Sequence, residues 1–470
     1  MEKASTQDDI IAAGLKHEEF NEVMHSYVLI TTREVHCPTG QEIIVCCCFK
    51  QSAFKRGYYI SQPATEWQRD HMAPVYWTSA CTSMPSMFTF TTFRGGFSAV
   101  VEDSVRTPRP TSTLTCFPVQ QVQLHVHLDG HLRHSTIWEL ESKKKLGLGY
   151  QSVEDIKRKT KPSEGTTLKN YLKEMPRYLR LLVGDRDAMT RVAYEAGVDQ
   201  AKDGIIYSEM RIFPYMMATD HTHLQGYTGA PSTLKSPSDV IQAILNGFRK
   251  AEAEYDTKLR LILACFRDKP EWSRDILSLV DEFKNQGVVG IDVCGVFNSK
   301  PTERDGEEIL GQEIIETFQE AEKRGIHRTA HAGEAGPPRN IIRVIEELKT
   351  ERVGHGYSAI AEGGEAYKLA LSKGIHFEQN FSSSYLTGAA KKGQPHPIFR
   401  LIRDKASFSI NTDDPTITQV TMDHEYKLLC SLGATVNNII DSNLSAIKAC
   451  FLPQEEKREL LEKFKRLNGL

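Results

Sequence analysis

The sequence predicts an α/β fold, a (β/α)8 TIM barrel with an irregular N-terminal extension. From Val119 to Leu470, short apolar runs alternate with amphipathic stretches of helical period, which is the pattern of repeated βα units. Eight apolar runs can be identified there, the number that closes such a barrel. Before Val119 neither a helical nor a strand period is sustained. We therefore divide the chain into an extension, residues 1–118, and a barrel domain, residues 119–470.

The extension ends in a stretch that discourages regular structure. The segment RTPRPTSTLT, from Arg106 to Thr115, combines prolines with short polar residues and is a candidate linker. The ten cysteines of the chain include no CxxC pair and follow no regular spacing, so we expect reduced thiols rather than a disulfide framework. No function is indicated for residues 1–118.

The predicted barrel strands are short apolar runs separated by helical segments. In chain order they are VQLHVH, GIIYSEMR, LRLILACF, VVGIDVCG, HRTAHAGE, RVGHG, IHFEQN and FSINTDD. The segment NIIRVIEELKTE illustrates the helices, because its five apolar residues from Ile341 to Leu348 fall on one face. Pro337 and Pro338 precede it and suit a helix start.

Charge and composition favour a small-molecule substrate. The formal net charge of -3 gives no basic excess of the kind that binds nucleic acid or an anionic membrane. No run approaches the ~18 apolar residues of a membrane span. The N-terminal MEKASTQDDIIAAGLKHEEF lacks the basic start and the apolar stretch of a secretory signal. We therefore expect a cytoplasmic protein that binds neither nucleic acid nor membrane, and no protein partner is indicated.

The predicted strand ends carry polar residues that core packing does not explain. In LHVHLDG, His125 and His127 are two residues apart and therefore point to the same side of the strand. More polar residues end the fifth, sixth and eighth strands: His331, Glu334, His355, Asp413 and Asp414. Each residue alone could be a hydrogen-bonded core residue. Because the C-terminal strand ends of a barrel meet around one site, their joint occurrence favours a metal site.

Three imidazoles and one carboxylate form a ligand set that suits zinc and leaves room for water. Zinc lowers the pKa of bound water to roughly 7, so that hydroxide is available at neutral pH. The HxxE spacing puts Glu334 near the metal without requiring it as a ligand, which makes it a candidate general acid. His355, between two glycines, could orient or deprotonate the water. Of Asp413 and Asp414, one could bind zinc while the other faces the substrate.

Five motifs carry a family resemblance when they are taken together and in order: HVHLDG, HAGEAG, KTERVGHGY, SSYLTGA and NTDDP. From about Val119 to the C-terminus, the chain closely resembles the adenosine deaminase family of the metal-dependent amidohydrolase superfamily. The resemblance implies a nucleoside substrate and hydrolytic deamination of adenosine or 2′-deoxyadenosine, with addition of water at C6 and loss of ammonia. It also implies one zinc ion per chain and a role in purine salvage.

The resemblance further implies a role for each matched residue. The zinc ligands would be His125, His127, His331 and Asp413. Glu334 would give a proton to the purine N1, and His355 would help to activate the water. Asp414 would hold N7.

Ribose and base contacts follow from the same resemblance. Asp129, with His127 nearby, would bind a ribose hydroxyl, and the backbone N–H of Gly295 would bind N3. The stretch LKNYLKEM resembles the helical lid of the family. Its apolar wall over the nucleoside would consist of Leu168, Tyr171, Leu172 and Met175.

Two stretches depart from the usual family pattern. Val296 and Phe297 replace an acidic pair, and the residues from Gln379 to Phe381 replace a Cys-Pro stretch. Both lie at predicted strand ends and can affect rate or base preference.

Two alternative functions are considered beside this one. A deaminase of AMP or of a modified adenosine is one, although phosphate would require a cationic or N–H-rich pocket. No arginine cluster lies beside the motifs, even though Arg133 and His134 follow HLDG. A binding or signalling barrel with little catalysis is the other, and the presence of Glu334 and His355 argues against it.

Overall fold

The computed structural model describes residues 120–222, 224, 226, 232–295 and 310–470, together with the backbone of four strands nearer the N-terminus. The chain divides into two units, Met1–Thr111 and Ser112–Leu470. The predicted linker, Arg106 to Thr115, lies outside the described residues. In the first unit the strands pair antiparallel: Tyr27–His36 with Glu42–Lys50, and Thr89–Phe93 with Gly96–Val100. The sequence pattern predicted an irregular extension and did not indicate these two pairs of strands.

All eight predicted strands of the second unit are confirmed, and they form one parallel barrel sheet. The strands are β1 (Gln121–His127), β2 (Ile205–Ile212), β3 (Lys258–Phe266), β4 (Val288–Cys294), β5 (His327–Ala332), β6 (Arg352–His355), β7 (His376–Asn380) and β8 (Phe408–Asn411). Each strand is a neighbour of the next one along the chain. Leu124 and Val126 are fully buried on the face of β1 opposite His125 and His127, as the alternation of a strand requires. The histidines therefore belong to the barrel interior.

Side chains as well as backbone close the barrel between β8 and β1. The backbone forms a single parallel bridge, between Val126 and Asp413. Oδ1 of Asn411 accepts hydrogen bonds from the backbone N–H groups of Leu124 at 2.8 Å and His125 at 3.1 Å. Oε1 of Gln123 accepts the N–H of Thr412 at 2.8 Å. These contacts join the first and last strands at the level of the predicted site.

Helices connect and surround the strands. They are α1 (His134–Lys144), α2 (Val153–Thr160), α3 (Leu168–Tyr171), α4 (Met175–Leu179), α5 (Arg186–Lys202), α6 (Pro214–Met217), α7 (Pro237–Glu254), α8 (Ile276–Phe283), α9 (Gln312–Lys323), α10 (Arg339–Glu346), α11 (Tyr357–Glu362), α12 (Glu365–Ser372), α13 (Phe381–Leu386), α14 (Ile398–Asp404), α15 (Pro415–Thr418), α16 (Met422–Ser431), α17 (Val436–Ala449) and α18 (Gln454–Asn468). Short 3₁₀ turns occupy Pro270–Ser273 and Lys284–Gln286. Among the described residues, none of these helices is both long and apolar enough to cross a membrane.

Local sequence signals explain where the helices begin. In α7, the Ser236 side chain accepts the N–H of Asp239 while the Asp239 side chain accepts the N–H of Ser236, so that this capping box satisfies two backbone donors. Helix α10 begins directly after Pro338, as the sequence predicts. Its residues Ile341 and Val344 are buried, which confirms the predicted apolar face.

Candidate active site

The C-terminal ends of the strands surround one cavity. The predicted site residues that line it are His127, Asp129, Gly295, His331, Glu334, His355, Asp413 and Asp414. The four residues of the predicted lid also line it: Leu168, Tyr171, Leu172 and Met175. His125 is fully buried and is absent from the lining residues. The structure thus brings together residues that the sequence places on separate strands.

The imidazoles and Asp413 approach one another closely. Nε2 of His127 lies 3.0 Å from Nε2 of His331. Oδ1 of Asp413 lies 3.2 Å from Nε2 of His125 and 3.6 Å from Nε2 of His127. Donor atoms of His125, His331, His355 and Asp413 all lie within 4.8 Å of one another. His355, to which the sequence gives a different role, is therefore part of this cluster, whereas the predicted ligand His127 lies outside this group of four and approaches it through His331 and Asp413.

This donor set fits a zinc ion. Zn–N bonds are about 2.0–2.1 Å long, so that two nitrogens on one tetrahedral zinc lie roughly 3.3 Å apart. The separations of 3.0 Å and 3.2 Å within the cluster are close to that value. Nε2 of His125 is buried and has no hydrogen-bond partner, although buried polar atoms are normally paired. A cation among these atoms would satisfy it.

Two buried carboxylates hold the far sides of the histidine rings. Nδ1 of His125 lies 2.7 Å from Oε2 of Glu378 on β7. Nδ1 of His331 lies 3.0 Å from Oδ2 of Asp292 on β4. An Nδ1–H that donates to a carboxylate leaves the Nε2 lone pair facing the cavity, which is the tautomer that a metal ligand needs. Glu378 and Asp292 therefore orient two of the predicted ligands.

Two buried arginines neutralise these carboxylates. Arg211 lies 2.9 Å from both Asp292 and Glu378. Arg352 lies 2.7 Å from Glu378 and 2.6 Å from Glu209. All five side chains are at most 1% exposed, and a buried charge is tolerated only when it is paired. These five buried side chains therefore form one network of ion pairs in the barrel interior, next to the histidines.

Burial sets the protonation of the histidines facing this network. It lowers the pKa of His331 to about 3 and the pKa of His355 well below its usual value, so that both rings are neutral. Burial also opposes protonation of His127, but the carboxylates led by Asp414 outweigh it and raise its pKa to about 9. A bound divalent cation would reverse that preference, because a metal ligand must be the neutral imidazole.

The adjacent aspartates at the end of β8 differ in character. Burial disfavours both charges, but the histidines around Asp413 hold its pKa well below the usual value. For Asp414, burial and the neighbouring charge of Asp413 raise the pKa. Asp413 is therefore the member of the pair that ionises more readily, and a carboxylate that binds a metal must be ionised.

The end of β6 places His355 beside Glu334. Nε2 of His355 lies 3.6 Å from Oε2 of Glu334. The backbone of His355 has a φ of 68°, which is uncommon for a residue other than glycine. The Gln379 side chain donates to its carbonyl oxygen at 2.5 Å, and the Asn380 amide lies 3.4 Å from its Nδ1. Two residues that depart from the usual family pattern therefore position His355.

Gly295 directly follows β4 and lines the cavity, at a position where only glycine fits. Its φ is 119°, and a Cβ there would lie 2.7 Å from the ring of Phe266. Val296 and Phe297, which were expected to affect base preference, lie outside the described residues.

Sequence reasoning did not identify Glu378, Asp292, Arg211 and Arg352 as site residues. A signal was present, because each is a charged residue within a predicted strand of the barrel. Such a residue must find a partner in the barrel interior.

Comparisons with known proteins agree with this geometry. Residues 120–467 match the profile of the adenosine deaminase family. An adenosine deaminase of Danio rerio is 35% identical over 356 residues, which cover 75% of this chain and 97% of that protein. The solved structure of the N6-mAMP deaminase of Arabidopsis has a TM-score of 0.62 and 23% identity, covering 74% of this chain and 98% of that one. An amidohydrolase of Burkholderia ambifaria with bound Zn has a TM-score of 0.61 and 24% identity, covering 75% and 92%.

Proposed function

This chain belongs to the adenosine deaminase family, and on that basis we propose that it catalyses the zinc-dependent hydrolytic deamination of adenosine and 2′-deoxyadenosine. The products are inosine or deoxyinosine and ammonia. The proposal is carried by the convergence of Glu334, His355 and Asp414 on one cavity beside a histidine and aspartate cluster. We further propose one zinc ion per chain and a cytoplasmic role in purine salvage.

The metal would be held at the strand ends by His125, His127, His331 and Asp413. When bound, zinc supplies Lewis-acid chemistry that makes a water molecule nucleophilic near neutral pH. Glu378 and Asp292 keep the rings of His125 and His331 in the tautomer and orientation that binding requires.

Glu334 and His355 move the protons. Glu334 gives a proton to N1 of the purine, which draws electron density from C6 and allows the water oxygen to bond there. His355 is neutral and accepts a proton from that water. The C6–N bond then breaks, and the amino group takes the proton held by His355 and leaves as ammonia. The proton of the new C6 hydroxyl returns to Glu334, so that water and adenosine give inosine and ammonia and both residues regain their starting state. The 3.6 Å between Nε2 of His355 and Oε2 of Glu334 supports these two roles, because both groups can then reach the same reacting carbon.

The remaining polar residues bind the nucleoside. Asp129 binds a ribose hydroxyl, Gly295 offers its N–H to N3, and Asp414 holds N7. Both carboxylate oxygens of Asp129 are buried without a hydrogen-bond partner, which supports a ligand contact there. The apolar lid residues exclude water above the base.

An absorbance assay for inosine formation tests the proposal. The kcat/KM of protein of known zinc content is measured with adenosine, 2′-deoxyadenosine, AMP and N6-methyladenosine, and the four values are compared. The Glu334→Gln variant is the control for contaminating activity. We expect the highest kcat/KM with the two unmodified nucleosides. A higher kcat/KM with AMP or the N6-methyl compound would instead favour a deaminase of nucleotides or of modified adenosine.

A further inference from the structure

Tyr171 makes a polar contact that its place in an apolar lid does not predict. It lies in α3, is 2% exposed and is one of the residues that line the cavity. Its hydroxyl group donates a hydrogen bond to Oδ2 of Asp414 at 3.0 Å. Burial raises the pKa of Tyr171 well above its usual value, so that the hydroxyl keeps its proton and is a donor.

The segment that delivers Tyr171 is fixed to the barrel. The backbone N–H groups of Gly165 and Thr166 donate to the carbonyls of Tyr385 and Leu386, each at 2.9 Å. The side chain of Thr167 then caps α3 by accepting the N–H of Asn170. These bonds set the position of the hydroxyl independently of Asp414.

The two oxygens of Asp414 have different surroundings. Oδ2 is occupied by Tyr171, whereas Oδ1 is buried and has no hydrogen-bond partner. A buried oxygen without a partner is costly, and in a substrate cavity it indicates a contact that the ligand completes. Fixing one oxygen of a carboxyl group also fixes the direction of the other, because the group is planar.

We propose that Tyr171 is a positioning residue for purine recognition, whose hydroxyl holds Oδ2 of Asp414 and so directs Oδ1, which carries the carboxyl proton, to donate a hydrogen bond to N7 of the bound base. This inference rests on the proposed function, because it takes a purine nucleoside as the ligand. According to this proposal, the lid contributes to recognition of the purine base and also covers it.

A cycle of variants and ligands tests this role by binding rather than turnover. Purine riboside and its 7-deaza analogue differ only in having a nitrogen or a C–H at position 7. Their dissociation constants are measured by calorimetry on zinc-loaded wild-type protein, Tyr171→Phe and Tyr178→Phe. Tyr178 is the matched control, since its hydroxyl is buried in α4 without a partner.

We expect Tyr171→Phe to weaken binding of purine riboside by about 3- to 10-fold, the range for one net hydrogen bond. Binding of the 7-deaza analogue should change less than about twofold in the same variant, and Tyr178→Phe should affect both ligands equally. Equal binding of both ligands by wild-type protein would overturn the N7 contact, and unchanged or tighter binding by Tyr171→Phe would overturn the role of the hydroxyl. If wild-type protein binds neither ligand, the proposed function itself fails, and this inference with it.

Discussion

Oδ1 of Asp414 lies against the backbone of Gly130, so close that a Cβ on that residue would be 1.9 Å from it. Real Cβ atoms do not approach another heavy atom to that distance, and the other nearest atoms also belong to Asp414. Gly130, the last residue of LHVHLDG, must therefore lack a side chain because Asp414, which follows the last strand, occupies that space.

Gly130→Ala should displace Asp414 and lower kcat/KM for adenosine on the order of 100-fold, as for a misplaced binding group. Steady-state kinetics would measure this, with zinc content and circular dichroism as checks on folding. Gly364→Ala is the matched control, since its Cβ meets only the flexible side chain of Glu362. A Gly130→Ala enzyme as active as Gly364→Ala would contradict the steric account.

Purified protein should contain about one tightly held zinc per chain, because the donor atoms at the strand ends suit that ion. Removal of the metal with a chelator should abolish activity and lower the midpoint of thermal unfolding, since a ligand that binds only the folded state stabilises it. Elemental analysis and calorimetry measure both effects. A metal-free preparation that keeps full activity would remove zinc from the mechanism.

Glu334→Gln should keep its zinc but lose at least ~100-fold in kcat, the usual scale of general acid catalysis. The amide preserves the size of the side chain and cannot supply the proton. Turnover and elemental analysis should be measured on the same sample. Unchanged kcat would assign the proton transfer to another group.

Residues before Thr115 should be dispensable for catalysis. The predicted site residues all lie after Val119, and the family match begins at residue 120. A chain that begins at Thr115 should fold, bind zinc and deaminate adenosine about as well as the full chain. If it is soluble and zinc-loaded yet inactive, the extension contributes to the site and the boundary at residue 118 is wrong.

The buried His376 should cause the free energy of unfolding to decrease in mild acid. Burial, assisted by the charge of Arg352, lowers its pKa to about 3, while the unfolded chain titrates near 6.5. Below about pH 6.5 the unfolded state therefore binds more protons, and the free energy of unfolding decreases. At pH 5 the loss is about 2 kcal/mol for this one group. Urea unfolding at pH 7 and pH 5 should show a smaller loss in His376→Gln than in wild-type protein, and equal losses would exclude His376 as a source.

The sequence predicted the strands and the polar residues at their ends because both depend on local patterns. An apolar run bounded by turn residues identifies a strand, and an HxH spacing identifies one face of it. The hydrogen-bond partners of those residues depend instead on the register between strands of the barrel. No local pattern indicates that Glu378 will meet His125, or that Gln379 will hold the carbonyl of His355, since the two contacts join residues 253 and 24 positions apart in the sequence.

The contact between β8 and β1 determines when the barrel can close during synthesis of the chain. A nascent chain carries His125 and His127 long before Asn411 and Asp413 have been made, and at 5–20 residues per second the interval is on the order of tens of seconds. Throughout it, β1 has an open edge that can pair with other chains. We expect chains released before Asn411 to aggregate and to retain no metal, so that completion of the last strand both closes the barrel and begins metal uptake.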